Sequence, residues 1–159
     1  MEDLSLHILD IVENSIRAKA SRIEIKVVED TRKDLLTIEI KDNGQGIDEK
    51  TIEKLLDPFF TTRTTRKVGL GLPLLSQAAR ESGGDVQIES KGGRGTRVRA
   101  TFGYSHIDRK PLGNMEMTLI TLITGNPEID FIYEHKKDEL EYRFDTRKIR
   151  AGIKSRAIR

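Results

Sequence analysis

The chain has 159 residues, the size of one domain or of one domain with a small appendage. It is 36% hydrophobic and 34% charged, which predicts a lean core under a highly charged surface, and its net charge of +2 gives no overall signal for nucleic-acid binding. The absence of cysteine excludes disulfides and thiolate metal sites, and no apolar run approaches the roughly 18 residues that a membrane helix needs.

The first predicted element is a helix over residues 3–19, in which apolar side chains recur at three- and four-residue spacing. Its opposite face groups Asp10, Asn14 and other polar residues, and a solvated surface is the ordinary interpretation of such a face taken alone. The acidic residues before this helix are unlike a signal peptide, so we expect a soluble cytoplasmic protein.

Two strands follow and predict a hairpin. Residues 23–28 alternate apolar and charged side chains, and residues 35–41 repeat the alternation after a charged turn at 29–34. The second strand ends in Asp42-Asn43-Gly44-Gln45-Gly46-Ile47. Asn-Gly alone predicts an ordinary turn. A second glycine two residues on, after a carboxylate at the strand end, suggests a backbone that passes close to a ligand.

The middle of the chain contains two predicted helices separated by a basic segment. The first helix follows Asp48 and stops at Pro58. The segment 57–71 then carries four threonines and three cations with little apolar content. The second helix runs to Ser82, and its predicted buried stripe consists of Leu74, Leu75 and Ala78.

The rest of the chain predicts two more hairpins, separated by a linker and a helix. The predicted elements are strands 85–90 and 96–102, a linker at 103–113, a helix at 115–124, and strands 130–134 and 140–144. The sequence leaves open whether the C-terminal helix and hairpin dimerise or extend the sheet. The order of elements predicts an α+β fold, a two-layer α/β sandwich with helices on one face of a mixed or antiparallel sheet.

Five segments of the chain together resemble one known family. These are Asn14 in the first helix, DNGQGI at 42–47, DPFFTTR at 57–63, VGLGL at 68–72 and GT at 95–96. In this order they resemble the GHKL ATP-binding domain of gyrase-type topoisomerases, heat-shock chaperones, sensor histidine kinases and mismatch-repair ATPases. The resemblance implies the histidine kinase-like ATPase fold for residues 1–103. Residues 104–159 would then be a small helix-hairpin-helix extension of unknown role.

The resemblance also implies roles for individual residues. Asp42 would accept a hydrogen bond from the adenine amine, Thr96 would support Asp42 and a bound water, and Asn14 would be a Mg²⁺ ligand. The chemistry is consistent, because a carboxylate accepts hydrogen bonds from an amine and Mg²⁺ prefers oxygen ligands. The nucleotide-binding positions implied in this way are Asn14, Asp42, Gly44, Gly46, Ile47, Thr62, Gly69, Leu70, Gly71, Leu72 and Thr96.

Three residues are catalytic candidates. Asp10 lies four residues before Asn14, where the hydrolysing branches of the superfamily place a glutamate that acts as general base. Arg63 and Lys67 can pair with phosphate oxygens, and Lys67 stands where the family usually has a glycine. The alternatives are a surface aspartate at position 10 and a solvated charged loop around the cations.

A sensor histidine kinase also needs an acceptor histidine on a dimerisation helix. None of His7, His106 and His135 resembles that acceptor, and no segment precedes the ATP-binding region, so we do not expect autophosphorylation on a built-in histidine. The sequence instead predicts a stand-alone protein in which Mg-ATP orders residues 61–68 as a lid.

Its activity would be ATP hydrolysis or phosphoryl transfer to a protein partner. The alternatives are a non-catalytic ATP-sensing module and a DNA-associated ATPase of mismatch-repair type, which the balanced charge disfavours. We expect ATP and a protein partner, and neither nucleic acid nor a membrane. A homodimer is left open.

Overall fold

The computed structural model describes residues 3–47, 49–56, 71–91 and 94–148. The helices in these ranges are α1 (Leu4–Arg17), α2 (Glu49–Leu56), α3 (Gly71–Glu81) and α4 (Met115–Gly125). The strands are β1 (Arg22–Asp30), β2 (Leu35–Asp42), β3 (Val86–Lys91), β4 (Gly95–Gly103), β5 (Asp130–Lys137) and β6 (Leu140–Asp145). Each predicted helix and strand is present, with ends shifted by only a few residues. Within the described ranges, no helix has the length and hydrophobicity that crossing a membrane requires.

The six strands form one sheet in the order β3-β4-β2-β1-β5-β6. The three predicted hairpins are confirmed as antiparallel pairs, and β2 is also antiparallel to β4. The pairing of β1 with β5 is parallel, with Ile25 opposite Tyr133, so the sheet is mixed. The predicted α+β class is therefore confirmed, and the C-terminal hairpin extends the sheet.

The core lies between this sheet and the helices that cover one of its faces. In β1 the alternation predicted from sequence places Ile23, Ile25 and Val27 inward, each at most 1% exposed. From α1, Leu4 and Ile8 are fully buried against the sheet. Because each strand has one apolar face, helix packing on that side removes the apolar surface from water and leaves the charged side chains outside.

The buried stripe of α3 differs in part from the predicted one. Leu75 and Ala78 are buried as predicted, but Leu74 is only half-buried. Leu72 and Ala79 complete the buried face instead. At about 100° per residue the buried side chains centre on the side of Leu72, Leu75 and Ala79, and Leu74 lies at the edge of that stripe.

Polar contacts attach the C-terminal hairpin to the first one. Glu29 Oε2 lies 2.7 Å from His135 Nε2, and within β5 the Tyr133 hydroxyl lies 2.9 Å from Nδ1 of the same imidazole and so helps to orient it. At the turns, Asp138 accepts hydrogen bonds from the Thr31 backbone N–H at 2.9 Å and its hydroxyl at 2.8 Å. The Thr31 backbone hydrogen bond is the main reason that the pKa of the Asp138 carboxyl lies below its usual value. Burial raises the pKa of the Tyr133 phenol.

Gly95 allows the start of β4 to lie against the end of β2. Its φ is +93°, and a Cβ at this position would overlap the carbonyl oxygen of Asp42. We predict that Gly95→Ala lowers the free energy of unfolding by about 2 kcal/mol, measured by urea denaturation. Gly125→Ala is the matched control, because a Cβ there meets nothing within 4 Å, and it should be neutral or slightly stabilising. Parental stability in the Gly95→Ala protein would contradict this account.

Candidate functional site

The predicted site residues in the described ranges converge at one end of the sheet. Asp42 is the last residue of β2 and lies directly opposite Thr96, near the start of β4. The C-terminal half of α1 covers this end, and the start of α3 packs against α1 beside Asp10. The first helix, the strand end and the turn after it therefore form one connected group.

Two donors hold the carboxylate of Asp42 in place. The Ser15 hydroxyl donates to Asp42 Oδ2 at 2.7 Å, and the Gly44 backbone N–H donates to Oδ1 at 2.8 Å. Each carboxylate oxygen can accept more than one hydrogen bond. The half-buried Asp42 side chain is thus fixed in orientation and keeps the capacity to accept a hydrogen bond from an amine.

Sequence reasoning missed Ser15, although a signal was present. Ser15 follows Asn14 in the helix, yet it lies four residues after Ile11, in the apolar stripe of α1. It is 4% exposed. A buried hydroxyl in such a stripe needs a hydrogen-bond partner, which singles out Ser15, but only the tertiary structure identifies Asp42 as that partner.

A second missed residue, Ser90, organises the other side of the site. Its hydroxyl accepts a hydrogen bond from the Ile47 backbone N–H at 2.6 Å, and it lies 3.0 Å from both the Gly95 carbonyl oxygen and the Thr96 hydroxyl. A hydroxyl has one hydrogen and two lone pairs, so these three contacts are satisfied if Ser90 donates to Gly95 and Thr96 donates to Ser90. Ser90 therefore links the turn, through Ile47, to Thr96.

The residues of the turn after Asp42 pack closely against the protein's own backbone or hydrogen-bond to it. A Cβ on Gly44 would lie 2.8 Å from the carbonyl oxygen of Ala18, so glycine lets the turn pack on the end of α1. Gly46 has a φ of +82°, which favours glycine. The Asn43 side chain accepts hydrogen bonds from the backbone N–H groups of residues 21 and 22, both at 2.9 Å. Ligand contact by Gly44 and Gly46 stays a prediction.

The first helix places Asp10 and Asn14 one turn apart, both half-buried. Arg17 Nη1 donates to the Asn14 side-chain oxygen at 2.8 Å. Gly71 is buried against this helix, where an added Cβ would lie 2.8 Å from the Cβ of Asp10. Leu72, at 3% exposed, packs into the core. The start of α3 thus approaches α1 beside the carboxylate predicted as a general base.

The implied magnesium ion fits the donors present. In the described ranges no group of three or more His, Cys, Asp or Glu side chains could hold a metal ion. Mg²⁺ is, however, commonly bound by one or two protein oxygens together with water and phosphate oxygens. The side-chain oxygen of Asn14 is a suitable single ligand, because it has a second lone pair besides the one that accepts from Arg17. Such a site would hold the metal together with the nucleotide.

Five predicted site residues lie outside the described residues. They are Thr62, Arg63, Lys67, Gly69 and Leu70. The described geometry thus concerns the side of the site formed by α1, the end of β2, the start of β4 and the start of α3.

Comparisons with known sequences identify the proteins that this chain resembles. The family model for histidine kinase-, DNA gyrase B-, and HSP90-like ATPases matches residues 2–106. The sensor protein kinase FleS of Pseudomonas aeruginosa is 43% identical over 89 residues, which are 56% of this chain and 22% of FleS. The sensor histidine kinase WalK of Bacillus subtilis is 30% identical over 111 residues, 65% of this chain and 18% of WalK. The chain thus spans about a fifth of the length of these curated relatives.

A solved structure supports the same fold. The Aquifex aeolicus MutL ATPase domain complexed with ADP has a TM-score of 0.53 to this chain at 21% sequence identity. The similarity covers 91% of this chain and 62% of the MutL chain, so it includes the C-terminal hairpin region as well as the matched family segment.

The Ser15–Asp42 hydrogen bond predicts energetic coupling between α1 and β2. We expect Ser15→Ala to lower the free energy of unfolding by about 1 to 2 kcal/mol in the parent, because the bond is partly buried and charge-assisted. The same substitution should cost about 1 kcal/mol less when Asp42 is already alanine. Urea denaturation of the four proteins measures this coupling.

Ser105→Ala is the matched control for this cycle, because its hydroxyl donates to Asp34 at 2.9 Å and not to the strand end. Its effect on the free energy of unfolding should add to that of Asp42→Ala. If the losses in free energy of unfolding caused by Ser15→Ala and Asp42→Ala are also additive, the two side chains do not stabilise the fold cooperatively.

Proposed function

The chain belongs to the family of histidine kinase-, DNA gyrase B-, and HSP90-like ATPases, and on this premise we propose that it binds ATP with the adenine at Asp42. The observation that carries the proposal is the carboxylate of Asp42, oriented by Ser15 and Gly44 at the end of a central strand. Because Ser15 and Gly44 already hold the carboxylate in one orientation, little conformational entropy is lost when a ligand amine binds to it.

Adenine is the base that this carboxylate suits. Adenine carries an exocyclic amine, which donates hydrogen bonds, where guanine carries a carbonyl oxygen, which only accepts them. Guanine also has a donor edge formed by N1–H and the C2 amine, so the carboxylate separates the two bases only where it faces C6, at which guanine places an acceptor against it. We propose that the C6 edge of the purine faces Asp42, which then favours ATP over GTP, and that Thr96, held by Ser90 on the neighbouring strand, supports this edge.

We place the phosphates toward α1 and the start of α3. Asn14 would hold Mg²⁺ through its side-chain oxygen, and the bound ion would neutralise phosphate charge. Gly71 allows α3 to approach α1 at this point. We assign Thr62, Arg63, Lys67, Gly69 and Leu70 to phosphate contact and lid formation because they belong to the family motifs at 57–72.

The proposed chemistry is transfer of the γ-phosphoryl group to water or to a hydroxyl of a protein partner. In hydrolysis, a water oxygen would bond to the γ-phosphorus, the bond to the β-phosphate oxygen would break, and Asp10 would accept the proton of the water. The half-buried position of Asp10, one turn before Asn14 and beside Gly71, supports this role. The alternative is ATP sensing without chemistry.

The setting we propose is signalling in the cytoplasm. Two relatives are a sensor protein kinase and a sensor histidine kinase, and this chain covers about a fifth of each. We propose that residues 1–103 bind the nucleotide, and that a protein partner responds to the nucleotide-bound state. Residues 104–159 would be the extension, and its described part contains the two additional strands β5 and β6.

The adenine assignment is tested by titration calorimetry with ATP, GTP and purine riboside triphosphate, which lacks the exocyclic amine. Asp42→Ala should weaken ATP binding by about ten- to hundredfold, the value of a hydrogen bond to a charged group. It should leave the weaker purine riboside triphosphate unaffected. Asp108→Ala, an exposed carboxylate in the segment after β4, is the control and should bind like the parent. Unchanged ATP affinity in Asp42→Ala would refute the assignment, and absence of binding heat in the parent would refute the function.

The fate of the γ-phosphate separates the proposed activities. With γ-labelled ATP and magnesium, label released to water indicates hydrolysis, and label on another protein from lysate indicates phosphoryl transfer. Asp10→Asn should reduce phosphate release by about 10²- to 10⁴-fold if Asp10 is the base. Glu13→Gln, a more exposed acid on the same helix, should release phosphate like the parent. Equal release by parent and Asp10→Asn would exclude Asp10 as base. Label that stays on bound ATP would identify a sensing module.

A further inference from the structure

The outer edge of the sheet carries a self-complementary strand. Among the described residues, β6 has a neighbouring strand only on its β5 side. Alternate residues of an antiparallel edge strand direct their backbone N–H and C=O groups away from the sheet, where another strand can pair with them. We propose that β6 pairs antiparallel with β6 of a second copy of this chain, which would join two sheets into one.

A two-fold axis at Tyr142 gives this pairing its register. Tyr142 would then lie opposite Tyr142 of the second copy, Leu140 opposite Phe144, and Glu141 opposite Arg143. Each pair of unlike residues occurs twice, once on either side of the axis, as a two-fold symmetric interface requires. The apolar residues share one face of the strand and the charged ones share the other, so the pairing is complementary on both faces.

The charges extend this complementarity across four strands. Within the chain, Glu134 lies opposite Arg143 with 3.6 Å between their charged groups, and Lys136 lies opposite Glu141. Adding Glu141 and Lys136 of a second copy beside Arg143 produces a row of alternating sign: Glu134, Arg143, Glu141, Lys136. Opposite charges directly across a ladder stabilise it, and like charges destabilise it.

Other registers lose this match. An axis at Glu141 sets two glutamates opposite each other, and an axis at Arg143 sets two arginines opposite each other. A shift by one residue turns the apolar side chains of one strand against the charged side chains of the other. Charged side chains on an edge strand often prevent pairing. Here their alternating sign selects one register.

The apolar side of β6 is exposed where the second copy would cover it. Leu140 is 76% and Tyr142 is 58% exposed. The neighbouring helix α4 is apolar on more than its core-facing side, and exposes Met117 at 57% and Ile120 at 56%.

Tyr142 and the start of α4 also border the same cavity. Its volume is about 560 Å³, and its lining includes Met115, Glu116, Tyr133 and Tyr142. Two six-residue strands alone bury less than the roughly 1,000 Å² of a specific interface. Covering the α4 surface around this cavity as well would add to the area that the two strands bury.

Sedimentation over about a hundredfold range of protein concentration tests the proposal, with circular dichroism to confirm folding of each variant. The parent should show a monomer–dimer equilibrium. Arg143→Glu places carboxylates opposite each other in both symmetric pairs and should weaken dimerisation about tenfold or more. Asp42→Ala should dimerise like the parent, because the edge strand is separate from the proposed nucleotide site. That result would hold whether or not ATP binds.

Arg143→Glu also removes the ion pair with Glu134 within the chain. A charge-swapped variant separates that loss of stability from the effect on dimerisation. Glu134→Lys, Lys136→Glu, Glu141→Arg and Arg143→Glu together preserve every opposite-sign pair within one chain. This variant should dimerise with itself and should not form mixed dimers with the parent. A parent that stays monomeric, or that associates only with a different protein, overturns the proposal. Free mixing of the swapped and parent chains, or a dimer that Arg143→Glu does not weaken, overturns it as well.

Discussion

The hydrogen bond from Ser15 to Asp42 joins the first helix to a central strand, and the candidate site depends on it. The donor and acceptor lie 2.7 Å apart, and the hydroxyl is buried. Asn14, the implied metal ligand, precedes Ser15 in the helix, so the bond fixes the spacing between the residues proposed for the metal and for adenine. A rigid spacing of this kind is what recognition of one ligand at two ends requires.

The glycines around this bond show how packing and binding share the same positions. Gly44 contacts the end of α1, and Gly95 lies against the Asp42 backbone with a positive φ. Larger residues would push the turn or β4 away from Asp42. The glycines therefore serve the protein's own close packing first, and the ligand contact inferred from the motif would use the backbone that this packing holds in place.

The C-terminal hairpin changes the edges of the sheet without adding residues to the described part of the site. The family model ends at residue 106, whereas the sheet continues through β5 and β6 by a parallel pairing with β1. The hairpin is attached at its turn by Asp138 and at its centre by His135. As a consequence, the outermost strand on this side is β6, and association through it leaves the strand end at Asp42 accessible.

The sequence by itself determined the elements and the motif residues, because apolar side chains repeat at the periods of helices and strands and because short motifs are local. Tertiary structure decided the rest. Ser15 lies 27 positions from Asp42, and Glu29 lies 106 positions from His135, so no local pattern could pair them. The role of Ser90 and the parallel β1–β5 pairing were likewise undetermined, because each depends on which distant segments the core brings together.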